Sequence, residues 1–262
     1  MNNIDIFIRT YTKDFDILQY CLYSIEKYVK GYKNIIITVK ENEYALLQNA
    51  IDITKYKIFT TPNYTSLYSN YNNIDYLGQQ LDKLSADLYS DADYILYVDC
   101  DIIFHNNINL NEVCFDENNK VILFRTLWKN VGDANRWRKC LIELNLLNNY
   151  EYMRRLPQLF PIKYLKDIRN YIEFKTNKTF INACVDFYIK CGFSEFNIIG
   201  SYIHKYHNTE MHLCNTEEED NNKYIYNYKL PCVTQLWSHT EKKKLLQSIK
   251  ELLQISDINI TI

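Results

Sequence analysis

The sequence predicts an α/β fold in which a mixed, mainly parallel central sheet is flanked by helices. Three observations predict it. Short runs rich in Ile, Val, Phe and Tyr recur through the first hundred residues, amphipathic segments with apolar side chains three and four apart separate them, and hydrophobic residues make up 47% of a 262-residue chain, enough to fill one core. The first strand is "IDIFIRT" (4–10), after which "FDILQYCLYSIEKYV" (15–29) reads as an amphipathic helix and "NIIITVK" (34–40) as a buried strand. A helix near 42–51, the strand "YKIFTT" (56–61), a helix near 74–89 and the strand "YILYV" (94–98) complete a βαβα rhythm.

Beyond it, "KVILFRT" (120–126) predicts another strand, succeeded by the basic and aromatic segment "LWKNVGDANRWRKC" and a helix. In "RRLPQLFPIKYLKDIRNYIEF" two prolines precede a helix, and "TFINACVDFYIKCGFSEFNIIGSYIHKYH" reads as two helices broken near Gly192. "EEEDNN" (217–222) is a solvated loop, "KYIYNYKLP" a strand, and "TEKKKLLQSIKELLQ" (240–254) a closing amphipathic helix capped by Thr240. With no internal repeat and no linker, residues 1–262 are expected to form one domain, in halves of 1–105 and 106–262.

Composition excludes several classes. Thirty basic against 32 acidic residues leave no sequence-wide field for nucleic acid or an anionic membrane. No apolar run approaches the ~18 residues that span a bilayer, and Asp5, Arg9, Lys13 and Asp14 interrupt the start where a signal peptide needs an apolar stretch. A soluble, unsecreted, cytoplasmic protein is expected. Its eight scattered cysteines, with no C-x-x-C pair, fit reduced core thiols. There are only five glycines and the closest two, Gly192 and Gly200, are eight positions apart. A dinucleotide fingerprint or P-loop needs clustered glycines so that backbone N–H groups can close on phosphate, so both are excluded. A nucleotide diphosphate bound here would have to be neutralised by something else.

"YILYVDCDIIF" (94–104) supplies a candidate. Asp99 and Asp101 stand just past a strand end, and in a parallel sheet ligands bind outside the carboxyl ends of the strands. Two close carboxylates repel unless a cation sits between or beside them, and oxygen ligation with open positions suits Mg²⁺ or Mn²⁺ bridging to substrate phosphates. The alternative is a polar strand end that solvates a loop.

Strand-D-x-D after an early αβ half resembles the glycosyltransferases of the GT-A fold. Together with "FIRTYTKDFDILQYCLYSI", "GQQLDKLSADLYSDADYILYVDCDIIF", "GFSEFNIIGSYIHKY" and "QLWSH", the chain is similar over nearly its whole length to glycosyltransferase-like proteins of large DNA viruses of algae and amoebae and to related bacterial proteins. That resemblance implies Asp101 as a direct ligand of Mn²⁺ or Mg²⁺, and Asp99 on the ribose or the metal. It implies His239 as a third ligand returning from the C-terminal part, where the other reading is an idle residue ahead of a helix cap. It also implies Glu195, in a "S/T-E-aromatic" stretch, as the general base. The other reading there is a first-turn acid favoured by the helix dipole after Ser194, and Asp186 is the reserve base.

The nucleotide contacts are expected from Arg9, Thr10 and Tyr11 at the end of the first strand, and from Gln80 and Lys83 on one helix face. A solvated face with Lys83 paired to Asp87 is the other possibility. Trp128, Arg136 and Trp137 suit sugar and phosphate contacts or ordinary packing. The expected reaction is transfer of a sugar from a nucleoside diphosphate, UDP foremost, to a saccharide hydroxyl with inversion at the anomeric carbon. The rivals are a nucleotide-sugar or glycan-binding module without turnover and a phosphohydrolase of the haloacid dehalogenase type. In the latter, D-x-D comes after the first strand of the core, whereas here it comes after roughly the fourth.

Overall fold

The computed structural model describes residues 2–64, 74–132, 135–153, 157–218, 233–236 and 241–254. Its centre is a five-stranded sheet built from β1 (Ile4–Arg9), β3 (Asn34–Lys40), β4 (Lys57–Thr61), β5 (Tyr94–Tyr97) and β10 (Gln158–Pro161) in the order β10-β5-β1-β3-β4. The first four in the chain run parallel, and β10 lies antiparallel against β5. β1, β3 and β5 are buried along most of their length, as unbroken runs of Ile, Val and Phe require when helices cover both faces.

Two short ladders flank this sheet, β2 (Val29–Lys30) with β7 (Ile108–Asn109) and β6 (Ile102–Phe104) with β12 (Val233–Gln235). A second sheet joins β8 (Val121–Leu127) in parallel to β11 (Met211–Asn215) and antiparallel to β9 (Tyr150–Glu151). The helices among the described residues are α1 (Phe15–Tyr28), α2 (Tyr44–Ala50), α3 (Ile74–Leu84), α4 (Leu110–Val113), α5 (Asn135–Glu143), α6 (Lys163–Thr176), α7 (Phe180–Lys190), α8 (Glu195–Tyr206) and α9 (Lys242–Leu253). α1 buries Ile17, Leu18, Cys21, Leu22 and Ile25 at the spacing that marks it as amphipathic, and α9 packs beside it through Leu245, Ile249 and Leu253.

Beside the short elements that no sequence pattern marks, three differences from the expected pattern stand out. The helix expected near 74–89 is shorter: α3 stops at Leu84 and a 3-10 turn (Ala86–Leu88) succeeds it. β10 has no strand signature, because Pro161 and a length of four residues argue against one. It is tolerated because Pro161 ends the strand at the outer edge of the sheet, where no partner needs its missing N–H. β11 likewise emerges from a stretch with no regular pattern. The strand expected in "KYIYNYKLP" and the cap Thr240 lie outside the described residues.

Helix α8 is held along its length by one aromatic side chain. Tyr152, fully buried, runs beside it: its N–H donates to Asn197 Oδ1 at 2.8 Å, its ring lies on Gly200, and its hydroxyl shares a 2.7 Å hydrogen bond with His204 Nδ1. A Cβ on Gly200 would stand 2.2 Å from the ring, so only glycine admits this contact. At the N-terminal end, Ser194 caps the helix by accepting from Asn197 N, and Gln80 Nε2 donates to the carbonyl of Phe193 at 2.6 Å. The first turn of α8 is therefore fixed from both sides.

Candidate active site

In chain order the four parallel strands are arranged third, second, first, fourth across the sheet, read from the β4 edge through β3 and β1 to β5. Strand order thus reverses between β1 and β5. Beyond Phe7, whose carbonyl accepts from Val98 N at 3.0 Å, β1 leans to the other side, with Thr10 N donating to Thr38 O at 3.0 Å. The crevice this opens is where an open α/β sheet binds ligands. It is bordered by Arg9, Thr10 and Tyr11 on one side and by Asp99 to Asp101 on the other.

The aspartate loop is tied down from behind. The Cys100 thiol donates to the carbonyl of Arg9 at 3.7 Å and the Cys21 thiol to that of Asp99 at 3.8 Å, while Ile102 N closes a turn onto Asp99 O at 3.0 Å. Leu236 N donates to Asp101 O at 2.8 Å, continuing the β6–β12 ladder. The buried cysteine between the aspartates thus works as packing and a weak donor. The Asp99 side chain stays 21% exposed and Asp101 is nearly buried.

Across the crevice, Lys83 is the hub. Its side chain is 2% exposed, with Nζ 2.7 Å from Asp99 Oδ1 and 3.2 Å from Glu195 Oε1, and 4.7 Å from the centre of the Phe196 ring. Burial pulls the lysine pKa down, but the two carboxylates outweigh it and hold the group above its ordinary value. Lys83 is not paired to Asp87, which instead binds Arg169. Glu195 is the first residue of α8 and 2% exposed, and its Oε2 has no hydrogen-bond partner among the described residues.

Two neighbours on α3 join the site without having been singled out by sequence pattern. Gln79 Nε2 lies 3.4 Å from Asp99 Oδ1, and the Tyr76 hydroxyl is pushed well up by burial, with the charges of Glu195 and Asp99 adding to the effect. Tyr76, Gln79, Gln80 and Lys83 are spaced three and four apart, a polar stripe along one face that the sequence does contain.

The side chains of the remaining candidates are engaged as follows. Arg9 is buried and turned under α3, with Nε 3.5 Å from Asp82 Oδ2, to which Thr61 Oγ1 also donates at 3.1 Å. Burial outweighs both partners and pushes Asp82 up to about 6. Thr10 is buried, and the charged groups of Arg9 and Lys13 lie 5.3 and 4.5 Å from the centre of the Tyr11 ring. Gln80 is buried and committed through Nε2 to Phe193. Asp186 is bound to Lys178 and Lys190. His105 lies 3.1 Å from Thr234 Oγ1, while Trp128 and Trp137 are core residues. His239 lies outside the described residues.

Among the described residues no group of three or more His, Cys, Asp and Glu side chains is arranged to hold a metal ion. Asp99 and Asp101 are the two carboxylates of the loop at the strand reversal, and oxygen ligands of this kind suit a hard divalent cation. No helix among the described residues is long and apolar enough to cross a membrane.

A mixed, mainly parallel sheet with this strand reversal and an acidic loop after its fourth strand has the architecture of the GT-A glycosyltransferases. Among solved structures it is similar to the galactosyltransferase LgtC, in complex with donor and acceptor sugar analogs, with a TM-score of 0.52 over 97% of each chain and 12% sequence identity. At that identity the likeness establishes the fold. No family sequence model matches the chain, and no curated protein sequence does.

Proposed function

We propose that this chain is a metal-dependent glycosyltransferase that moves a sugar from a nucleoside diphosphate sugar, UDP foremost, to a hydroxyl of a saccharide acceptor. One observation carries the reading: at the strand reversal of a GT-A sheet, buried Lys83 joins Asp99 of the D-x-D loop to Glu195 at the head of α8. A largely buried ion triad at a ligand-binding crevice is costly to build unless something charged is bound there.

Each residue has a role in this proposal. Asp99 and Asp101 would hold Mn²⁺ or Mg²⁺, which when bound supplies Lewis-acid stabilisation of the departing diphosphate. Lys83 fixes Asp99 and places a positive charge where the crevice receives the sugar and phosphate. Glu195, tied to Lys83 through Oε1, keeps Oε2 for the acceptor hydroxyl and takes its proton, so the sugar leaves with inverted anomeric configuration. Gln79 and Gln80 orient the loop and the α8 head. Tyr11 offers its ring to the base. His239 is proposed as the third metal ligand. It comes three residues after Leu236, which is bonded to Asp101, and three residues span at most ~10 Å.

Thermal-shift screening of UDP-, GDP- and dTDP-sugars with and without Mn²⁺ tests the proposal, since a ligand of the folded state raises the melting temperature. A metal-dependent rise with a UDP compound that is lost in Asp101→Ala is expected. Equal rises without metal would overturn it. Binding without donor hydrolysis or transfer would point to a nucleotide-sugar-binding module instead.

A further inference from the structure

Near the crevice, the side chain of Gln158 is buried with its whole hydrogen-bonding capacity unused. It is 1% exposed, and neither Oε1 nor Nε2 has a partner among the described residues. An amide offers two donors and an acceptor, and burying them unbonded costs free energy that a methionine or leucine of similar size would not. A position that keeps glutamine under these terms points to a ligand.

Its location says which part of a ligand. On β10, Gln158 lies opposite Tyr97 of β5, two residues before Asp99, and side chains directly opposite share a face of the sheet. Phe160, two residues on and therefore on the same face, stacks at 5.9 Å on Phe196, which Tyr97 meets at 5.4 Å. The Tyr97 hydroxyl donates to the carbonyl of Lys83 at 2.8 Å. Gln158 thus belongs to the layer beneath the head of α8, where Glu195 presents its own unpartnered Oε2.

The chemistry narrows the ligand further. A neutral amide supplies no charge to offset that of a phosphate, and its unbonded donors and acceptor reject an apolar group. It matches a pair of neighbouring hydroxyls, one accepting from Nε2 and the other donating to Oε1. We infer that Gln158 reads a vicinal diol of the transferred sugar and so decides which sugar is used. This inference rests on the transferase reading.

The test compares wild type with Gln158→Met, using the glucose, galactose and mannose conjugates of whichever nucleotide gives the thermal shift. Donor-hydrolysis kcat/KM is measured for each, with the Kd of the bare nucleoside diphosphate and the Tm of the free protein alongside. The wild type is expected to favour one sugar by at least about 100-fold, as sites that hydrogen-bond a hydroxyl do. The variant is expected to shrink that ratio at least tenfold, leave the nucleotide Kd unchanged, and melt no lower than wild type. An unchanged ratio, a wild type that does not discriminate, or a Tm lowered by several degrees overturns the inference. A wild type that binds nucleotide and turns over donor while the ratio holds sinks only this inference, whereas a wild type that binds no nucleotide sinks the transferase reading and takes this inference with it.

Discussion

The ammonium of Lys83 lies 2.7 Å from Asp99 Oδ1, inside a helix–sheet interface where its side chain is 2% exposed. A charge in that position is stable only because Asp99 and Glu195 both face it, so the three side chains stand or fall together. Removing the lysine leaves two carboxylates crowded without a cation. Lys83→Met is expected to lose about 3–5 kcal/mol in urea unfolding, the cost of breaking a buried pair from one side. Lys83→Met combined with Glu195→Gln should recover part of that stability and none of the activity. A Lys83→Met protein as stable as wild type would remove the hub.

The Arg9–Asp82 contact predicts a pH dependence of unusual sign. Burial raises the folded-state pKa of Asp82 from 3.8 to about 6, so between those values the folded protein binds more protons than the unfolded chain. Stability therefore falls as pH rises through this window, the opposite of a carboxylate stabilised by its ion pair. By linkage, this group alone removes about 2 kcal/mol between about pH 4.5 and 7. The stability difference between wild type and Asp82→Asn, measured by urea unfolding across that range, should drift by this amount against the wild type. A flat difference would show that Arg9 keeps the carboxylate ionised throughout.

What the sequence discloses, and what it hides, has a common physical reason. β1, β3 and β5 are legible because a parallel strand covered on both faces must be apolar along its length, and the aspartates are legible because they break that rule at a strand end. β10 is hidden because an edge strand needs only one bonded side and tolerates Pro161. Helical spacing puts Lys83 on the correct face of α3, but its i,i+4 neighbour Asp87 is drawn off by Arg169, a partner 82 residues away. Contacts between elements distant in the chain, such as Gln80 with Phe193 or Gln158 with Tyr97, leave no periodic trace.

Gly200 is predicted to be a steric requirement of the site rather than of helix formation. Alanine is the better helix former, yet its Cβ at 2.2 Å from Tyr152 would displace the ring of a residue whose backbone N–H and hydroxyl are both hydrogen-bonded to α8. Gly200→Ala should cost about 1–3 kcal/mol or more by overpacking. Adding Tyr152→Leu, which vacates the space, should return much of it. If Gly200→Ala instead raises the Tm, α8 is not clamped in this way.

The last prediction concerns the C-terminal segment. Leu236 donates its N–H to the carbonyl of Asp101, so β12 delivers the chain to the aspartate loop just before "WSH". If His239 completes the metal set, His239→Ala should weaken Mn²⁺ binding in the presence of UDP by roughly 10- to 100-fold, the range seen when supporting groups of metal sites are removed. The Tm without metal should not move, because the tether is made by backbone atoms that the substitution leaves in place. Isothermal titration of Mn²⁺ into the UDP complex measures the first quantity and a melting curve the second. Unchanged Mn²⁺ affinity would leave Asp99 and Asp101 as the only protein ligands and assign the rest of the coordination to diphosphate and water.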